Sequence, residues 1–180
     1  RVARRAGPAF GEAALVSLTI RDLHLSIGDS EILRGISLAV KPGQILGIVG
    51  ESGSGKSMTA LSAMQLLPPG SRTSGSISFA GHEICNADDE LMQDLRGDDI
   101  AMIFQGPMTA LNPVHTIGDQ SAEGICLHAG ASKAEALDRA SRLMADVGLP
   151  VERFPLDRFP HQLSGGQRQR VVIAMAIALR

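Results

Sequence analysis

One eight-residue stretch constrains this chain more than any other: Gly50-Glu51-Ser52-Gly53-Ser54-Gly55-Lys56-Ser57. It satisfies the pattern G-x-x-x-x-G-K-[ST]. The run before it, Ile45-Leu46-Gly47-Ile48-Val49, is nearly all apolar and reads as a strand buried on both faces of a mainly parallel sheet. The run after it, 56–67, reads as a helix stopped by Pro68-Pro69-Gly70. Strand, glycine loop and helix in that order predict an α/β fold. Glycines accept positive φ, so successive backbone N–H groups can turn inward on an anion. The helix N-terminus adds unpaired N–H groups and the positive end of a dipole. Lys56 is one of three lysines in the chain, and it stands where such a side chain reaches β- and γ-phosphates. The Ser57 hydroxyl stands where it ligates Mg²⁺.

Composition narrows the classes. The chain has 180 residues, a net charge of −2 and 44% hydrophobic residues, which excludes disorder. The missing basic excess speaks against nucleic acid as a partner. So does the aromatic set of five Phe with no Trp or Tyr, which offers few stacking platforms. The longest strongly apolar run, 171–179, is half the roughly 18 residues a membrane span needs. Cys85 and Cys126 lack metal-ligand spacing and read as free thiols of a reducing compartment. The five histidines share no ligand spacing either.

The flanks are patterned differently. Leu23, Leu25 and Ile27 alternate with polar neighbours, as do Ile36, Leu38 and Val40. Period two predicts antiparallel strands joined through Gly28-Asp29-Ser30. Short strands are expected at 76–79 and 100–104. Ser132 and Glu135 form a capping-box pattern before a helix whose inner face carries Leu137, Ala140, Met144 and Val147. The expected organisation is a flexible tail at 1–15 and a nucleotide-binding core at 16–105. A helical subdomain at 106–162 and a further motif with its helix at 163–180 complete it.

That further motif is Leu163-Ser164-Gly165-Gly166-Gln167. Ser164 suits an N-cap, and Gln167 three residues on completes a capping box. The two glycines permit close approach, making a second helix end fit for an anion. LSGGQ about a hundred residues after a phosphate loop resembles the signature motif of ABC-type ATPases. The resemblance implies a P-loop NTPase of ABC type: a mixed sheet core, an N-terminal antiparallel β part and an inserted helical subdomain, here C-terminally truncated. It implies ATP and Mg²⁺ as cofactors. Gln105, in Ile103-Phe104-Gln105, resembles the family's Q-loop glutamine, which meets Mg²⁺ or the attacking water. Lys56 and Gln105 are thus the expected catalytic residues, and Ser57 and Gln105 the expected metal contacts. In the family two copies dock head to tail, so Ser164, Gly165, Gly166 and Gln167 would act on the partner's ATP.

Several further stretches resemble the oligopeptide, dipeptide and nickel importers. They are Ile48 to Ser57, Pro107-Met108-Thr109-Ala110-Leu111-Asn112-Pro113, Ile117-Gly118-Asp119-Gln120 and Phe159-Pro160-His161-Gln162. The implied function is that of an ATP-binding and ATP-hydrolysing subunit. It energises uptake of peptides, or of a nickel- or glutathione-like solute, from the cytoplasmic face of the inner membrane. The implied partners are a second ATPase subunit, transmembrane permease subunits docking on about 106–120 and, indirectly, an external solute-binding protein.

Three departures qualify the likeness. Ile27 stands near the place where the family puts an adenine-stacking aromatic residue, and Gly106 follows Gln105 where an acid is common. The family's next parts are a strand ending in Asp-Glu and then a histidine, whereas no Asp or Glu follows Asp157 here. The chain also opens on Arg1 and halts within an apolar run, so we expect a fragment that binds nucleotide and hydrolyses it poorly. The alternatives are a non-catalytic nucleotide-binding remnant and a soluble ABC-type ATPase. A small-molecule kinase would leave LSGGQ unexplained.

Overall fold

Alternation over 18–40 produces a hairpin in the computed structural model, which describes residues 18–106 and 110–179. Strand β1 (Leu18–Ile27) pairs antiparallel with β2 (Ser30–Val40), turning at Gly28 with φ 57°. On its other edge β1 pairs antiparallel with β3 (Ser71–Phe79), which pairs with the short β4 (His82–Glu83), giving the order β2-β1-β3-β4. Ile20, Leu23 and Leu25 are all buried, although a strict period of two would send Ile20 and Leu23 to opposite faces. A bulge after Ile20 absorbs the odd residue: Asp22 sits at φ 47° and its N–H donates to Ser37 Oγ at 2.9 Å. The bulge thrusts the Asp22 carbonyl toward β3. A Cβ on Gly75 would lie 2.3 Å from that oxygen, so only glycine fits there.

The sheet's inner face buries Leu33, Ile77, Phe79 and Ile84 beside the β1 residues, each contributing about 1.5–3 kcal/mol. Glu83 closes the β3–β4 turn. Partial burial pushes its carboxyl up, but hydrogen bonds from the Ser76 hydroxyl and from the Cys85 and Ile77 N–H groups outweigh this and hold it below the ordinary range.

Helix α1 (Lys56–Ala63) starts where the sequence predicts but ends four residues earlier than expected. Gln65, at φ 50°, folds its side-chain amide onto the Ser62 carbonyl at 2.7 Å and so closes the helix. Two further expectations fail. Ile45–Val49 forms no strand; Ile45 is 96% and Val49 94% exposed. Of 100–104, only Ile100 makes a bridge, to Arg96. A strand exists by virtue of its neighbours, and beyond that one bridge the described residues pair nothing with either run. The sheet they form is antiparallel throughout and corresponds to the N-terminal antiparallel β part that the resemblance implies.

The chain separates into two compact units at Gln93/Asp94, inside helix α2 (Asp89–Leu95). The second unit is built on α3 (Ile117–Ala129), α4 (Lys133–Asp146) and α5 (Gly165–Ala176), with a 3₁₀ turn at Pro160–Gln162. Its core joins Ile117, Met144, Leu149, Leu163 and Val171, and a second cluster joins Ala122, Ile125, Ala136 and Ala178. Gly118 explains the tight entry to α3: its N–H donates to the Leu156 carbonyl at 2.8 Å, and a Cβ would lie 2.7 Å from Leu156 Cβ. The 1–15 tail, Pro107, Met108, Thr109 and Arg180 lie outside the described residues.

Candidate functional site

The phosphate-loop motif folds as a turn that delivers the chain into α1. Gly53 and Gly55 hold φ 82° and 88°, which side-chain-bearing residues rarely adopt. Gly55 is the N-cap in left-handed geometry, no side chain caps the helix and its first turn holds no acid. The α1 N-terminus therefore keeps its unpaired N–H groups and its positive dipole end. Gly55 is also pressed on the sheet, since a Cβ there would lie 2.6 Å from Leu33 Cδ2. Lys56 curls back over the loop. Its ammonium donates to the Gly50 carbonyl at 2.7 Å, the Glu51 carbonyl at 2.5 Å and Ser54 Oγ at 3.1 Å. Glu51, Ser52, Gly53 and Ser54 are exposed, as is Ser57 on the first turn of α1.

This donor set suits a polyphosphate. It offers backbone N–H groups, one ammonium and a hydroxyl, and the described residues hold no group of three His, Cys, Asp or Glu fit for a metal. A cation here would rest on Ser57 and on ligand oxygens, the arrangement Mg²⁺ takes with nucleotides.

In the second unit Gln105 is exposed beside Gly106, which sits at φ 115°. Ser164 caps α5: its hydroxyl accepts from the Gln167 N–H at 3.3 Å, and the Gln167 side chain accepts from the Ser164 N–H at 2.8 Å. Gly165 and Gly166 follow, exposed, with open space where a Cβ would stand. Arg168 does not face solvent as a surface charge would. It is half-buried and its Nε donates to the Pro160 carbonyl at 2.7 Å, bracing the turn that leads into Ser164.

A cavity of about 760 Å³ lies in this unit, lined by Asn112, His115, Gln120, Glu123, Leu127 and Met175 among others. Val114 and Leu127 are each 74% exposed, more than Ile103 and Phe104, the other large exposed apolar side chains among this unit's described residues. Asp119 on its wall pairs with Lys133, and that ammonium together with the Thr116 hydroxyl holds its carboxyl below the ordinary range. Gln120 is the residue that sequence reasoning missed here. Its signal is one amide on the buried face of α3, between Ile117 and Ile125.

Comparison with known proteins places these features in a family. The ABC transporter family profile matches residues 33–180. The oligopeptide transport ATP-binding protein OppD of Salmonella typhimurium is 43% identical over 173 residues, covering 94% of this chain and 52% of the relative. The glutathione import ATP-binding protein GsiA of Salmonella paratyphi A is 49% identical over 161 residues, covering 83% of this chain and 25% of the relative. Among solved structures, the ATP-binding cassette MJ0796, a dimer in a post-hydrolysis state bound to ADP and Pi, superposes with a TM-score of 0.77. It is 30% identical and covers 90% of this chain and 69% of that one. The chain thus spans about half the length of OppD and a quarter of GsiA. With the profile covering most of the residues, and the cassette fold shared, this chain belongs to the ABC transporter family, in its ATP-binding cassette.

Proposed function

We propose that this chain is the nucleotide-binding part of a subunit that hydrolyses ATP to drive solute uptake through a membrane complex. The observation that carries it is the bare α1 N-terminus with the Lys56 ammonium held over the loop carbonyls. An incoming phosphate offers Lys56 a charged acceptor in place of two neutral carbonyls, and charge-assisted bonds are roughly twice as strong. Bound Mg²⁺·ATP supplies the γ-phosphoryl group and the cation that neutralises it. The Gly50–Gly55 N–H groups would hold the phosphates and Ser57 would ligate the metal, while Gln105 is carried by the other unit and takes the Q-loop glutamine's role only by resemblance.

The α5 end serves a second copy. Ser164, with the N–H groups of Gly165 and Gly166, contacts the γ-phosphate bound at Lys56 of the partner subunit, in a head-to-tail dimer. Peptides and related small solutes are the cargo class, by analogy with the peptide and glutathione relatives. The cavity lined by Glu123 and Leu127, with the exposed Val114 on the neighbouring loop, is the docking surface for a short segment of the membrane subunits. On this reading the protein works at the cytoplasmic face of the membrane, as the transport relatives suggest. Among the described residues no helix is long and apolar enough to cross one.

A mixing experiment on the full-length subunit tests the dimer. Lys56→Ala and Ser164→Ala each lose ATPase activity alone. Mixed, they recover part of it, because a head-to-tail pair then contains one site with both an intact Lys56 and an intact Ser164. Absence of recovery, with both variants folded and paired, refutes the arrangement.

A further inference from the structure

Gln120 is a buried amide with every polar atom employed. Its Oε1 accepts from the Asn112 N–H at 2.8 Å. Its Nε2 donates to the carbonyls of Asn112 at 3.0 Å, His115 at 3.0 Å and, at the margin, Thr116 at 3.4 Å. One side chain thus holds both ends of the 112–116 loop against α3. Thr116, at one end, is also held by its cap bonds to Asp119, but over 112–115 the other bonds are from the Val114 N–H to the Asn112 side chain at 3.1 Å and from the His115 N–H to Asn112 O at 3.4 Å. Pro113 donates nothing. The same loop forms one wall of the 760 Å³ cavity and carries the exposed Val114 on its outer side.

We propose that Gln120 is a positioning residue, setting the shape of the cavity wall that the membrane subunit must match. The inference rests on the docking reading above and adds to it the group that makes the surface specific. The partner segment brings an apolar side chain for Val114 and Leu127, and a basic one for Glu123. That carboxylate has no ionic partner among the described residues, whereas neighbouring Asp119 is already paired with Lys133. Docking onto a loop held by buried hydrogen bonds avoids ordering it at the moment of association. A loop that is loose in the free protein binds more weakly by the fraction of time it spends elsewhere.

The test uses the full-length subunit with its membrane subunits in detergent or nanodiscs. Gln120→Leu removes all four bonds with little change in volume. It should leave nucleotide affinity and the isolated subunit's ATPase rate within twofold of wild type. Affinity for the membrane subunits should fall about tenfold, and amide exchange at 112–116 should rise at least tenfold while α4 stays protected. Unchanged affinity for the membrane subunits overturns the proposal. Glu123→Lys and Leu127→Asp, exposed and outside the nucleotide site, separate the two failures. If they abolish assembly while Gln120→Leu does not, the positioning role falls alone; if none of the three affects assembly, the docking surface falls too. Should Gln120→Leu not fold, Asn112→Ala loosens the same loop from its exposed side, and about threefold weaker assembly is then expected. No loss there counts against the proposal.

Discussion

Four helix N-termini of this chain divide into two kinds. At α3 and α4 the cap is closed and an acid sits in the first turn: Thr116 with Asp119, Ser132 with Glu135. At α1 and α5 the first turn holds no acid, and glycines stand at or beside the cap. An acid near a helix N-terminus stabilises it by about 0.3–1 kcal/mol, so its absence at two ends forgoes stability. Those two ends carry the phosphate-loop and signature motifs, where a fixed negative charge would oppose a phosphate. They differ from each other as well. The α5 end is closed by its own capping box and is complete without a ligand, whereas α1 has no side-chain cap and turns the Lys56 ammonium back on its own loop.

The largest effect that follows concerns α1. Lys56→Ala should lower affinity for ATP about a hundredfold, since hydrogen bonds to charged groups are worth about 1.5–3 kcal/mol and two phosphates share this ammonium. Thermal stability without nucleotide should hardly change, because the bonds lost go to exposed loop carbonyls. Titration calorimetry with ATP, beside a melting curve, separates the two quantities. An unchanged affinity would remove α1 from the ligand-facing class.

Next is a substitution predicted to move stability and activity in opposite directions. Gly166→Glu places an acid in the first turn of α5, where a Cβ meets nothing within 4 Å. Replacing helical glycine contributes about 0.5–1 kcal/mol, and the dipole adds a few tenths. The variant should therefore melt higher. In the full-length dimer its turnover should fall at least tenfold, as the new carboxylate faces the γ-phosphate bound by the partner. A more stable and equally active variant would show that α5 is an ordinary capped helix.

The same contrast explains what could be read from sequence. A helix end is local: Gly55-Lys56-Ser57, Ser132 with Glu135 and Ser164 with Gln167 lie within four residues of one another, and their helices begin where expected. The hairpin of β1 and β2 is nearly as local. The Ile45–Val49 strand is not, because an apolar run becomes a strand only when others pair with it, and none of the described residues does. The Asp22 bulge was hidden because it shows only as Ile20 and Leu23 falling out of phase, with Gly75 supplying room from fifty residues away. Arg168 reads as a solvent-facing charge, and Gln120 draws notice only as part of an importer-like stretch. Their partners, the carbonyls of Pro160 and of the 112–116 loop, are backbone atoms that no residue pattern reveals.

The smallest effect sharpens the closed class. At α3 the Asp119 carboxylate is held below its ordinary value of 3.8, first by the Lys133 ammonium and then by the Thr116 hydroxyl. A carboxyl depressed in the folded state contributes stability that is present above pH 3.8 and lost as pH falls through its lower folded value. Asp119→Asn should therefore flatten the acid limb of the stability profile below about pH 4. At neutral pH it should cost no more than about 0.5 kcal/mol, since both side chains are half-exposed and screened. Urea melts from pH 3 to 7 read this directly. The Thr116–Asp119 N–H bond survives as a hydroxyl cap in the variant, so α3 should still begin at Ile117. A loss of several kcal/mol at pH 7 would instead mean that the ion pair holds the second unit together. The acid would then be no mere stabiliser of a helix end, and the division between closed and ligand-facing termini would need another basis.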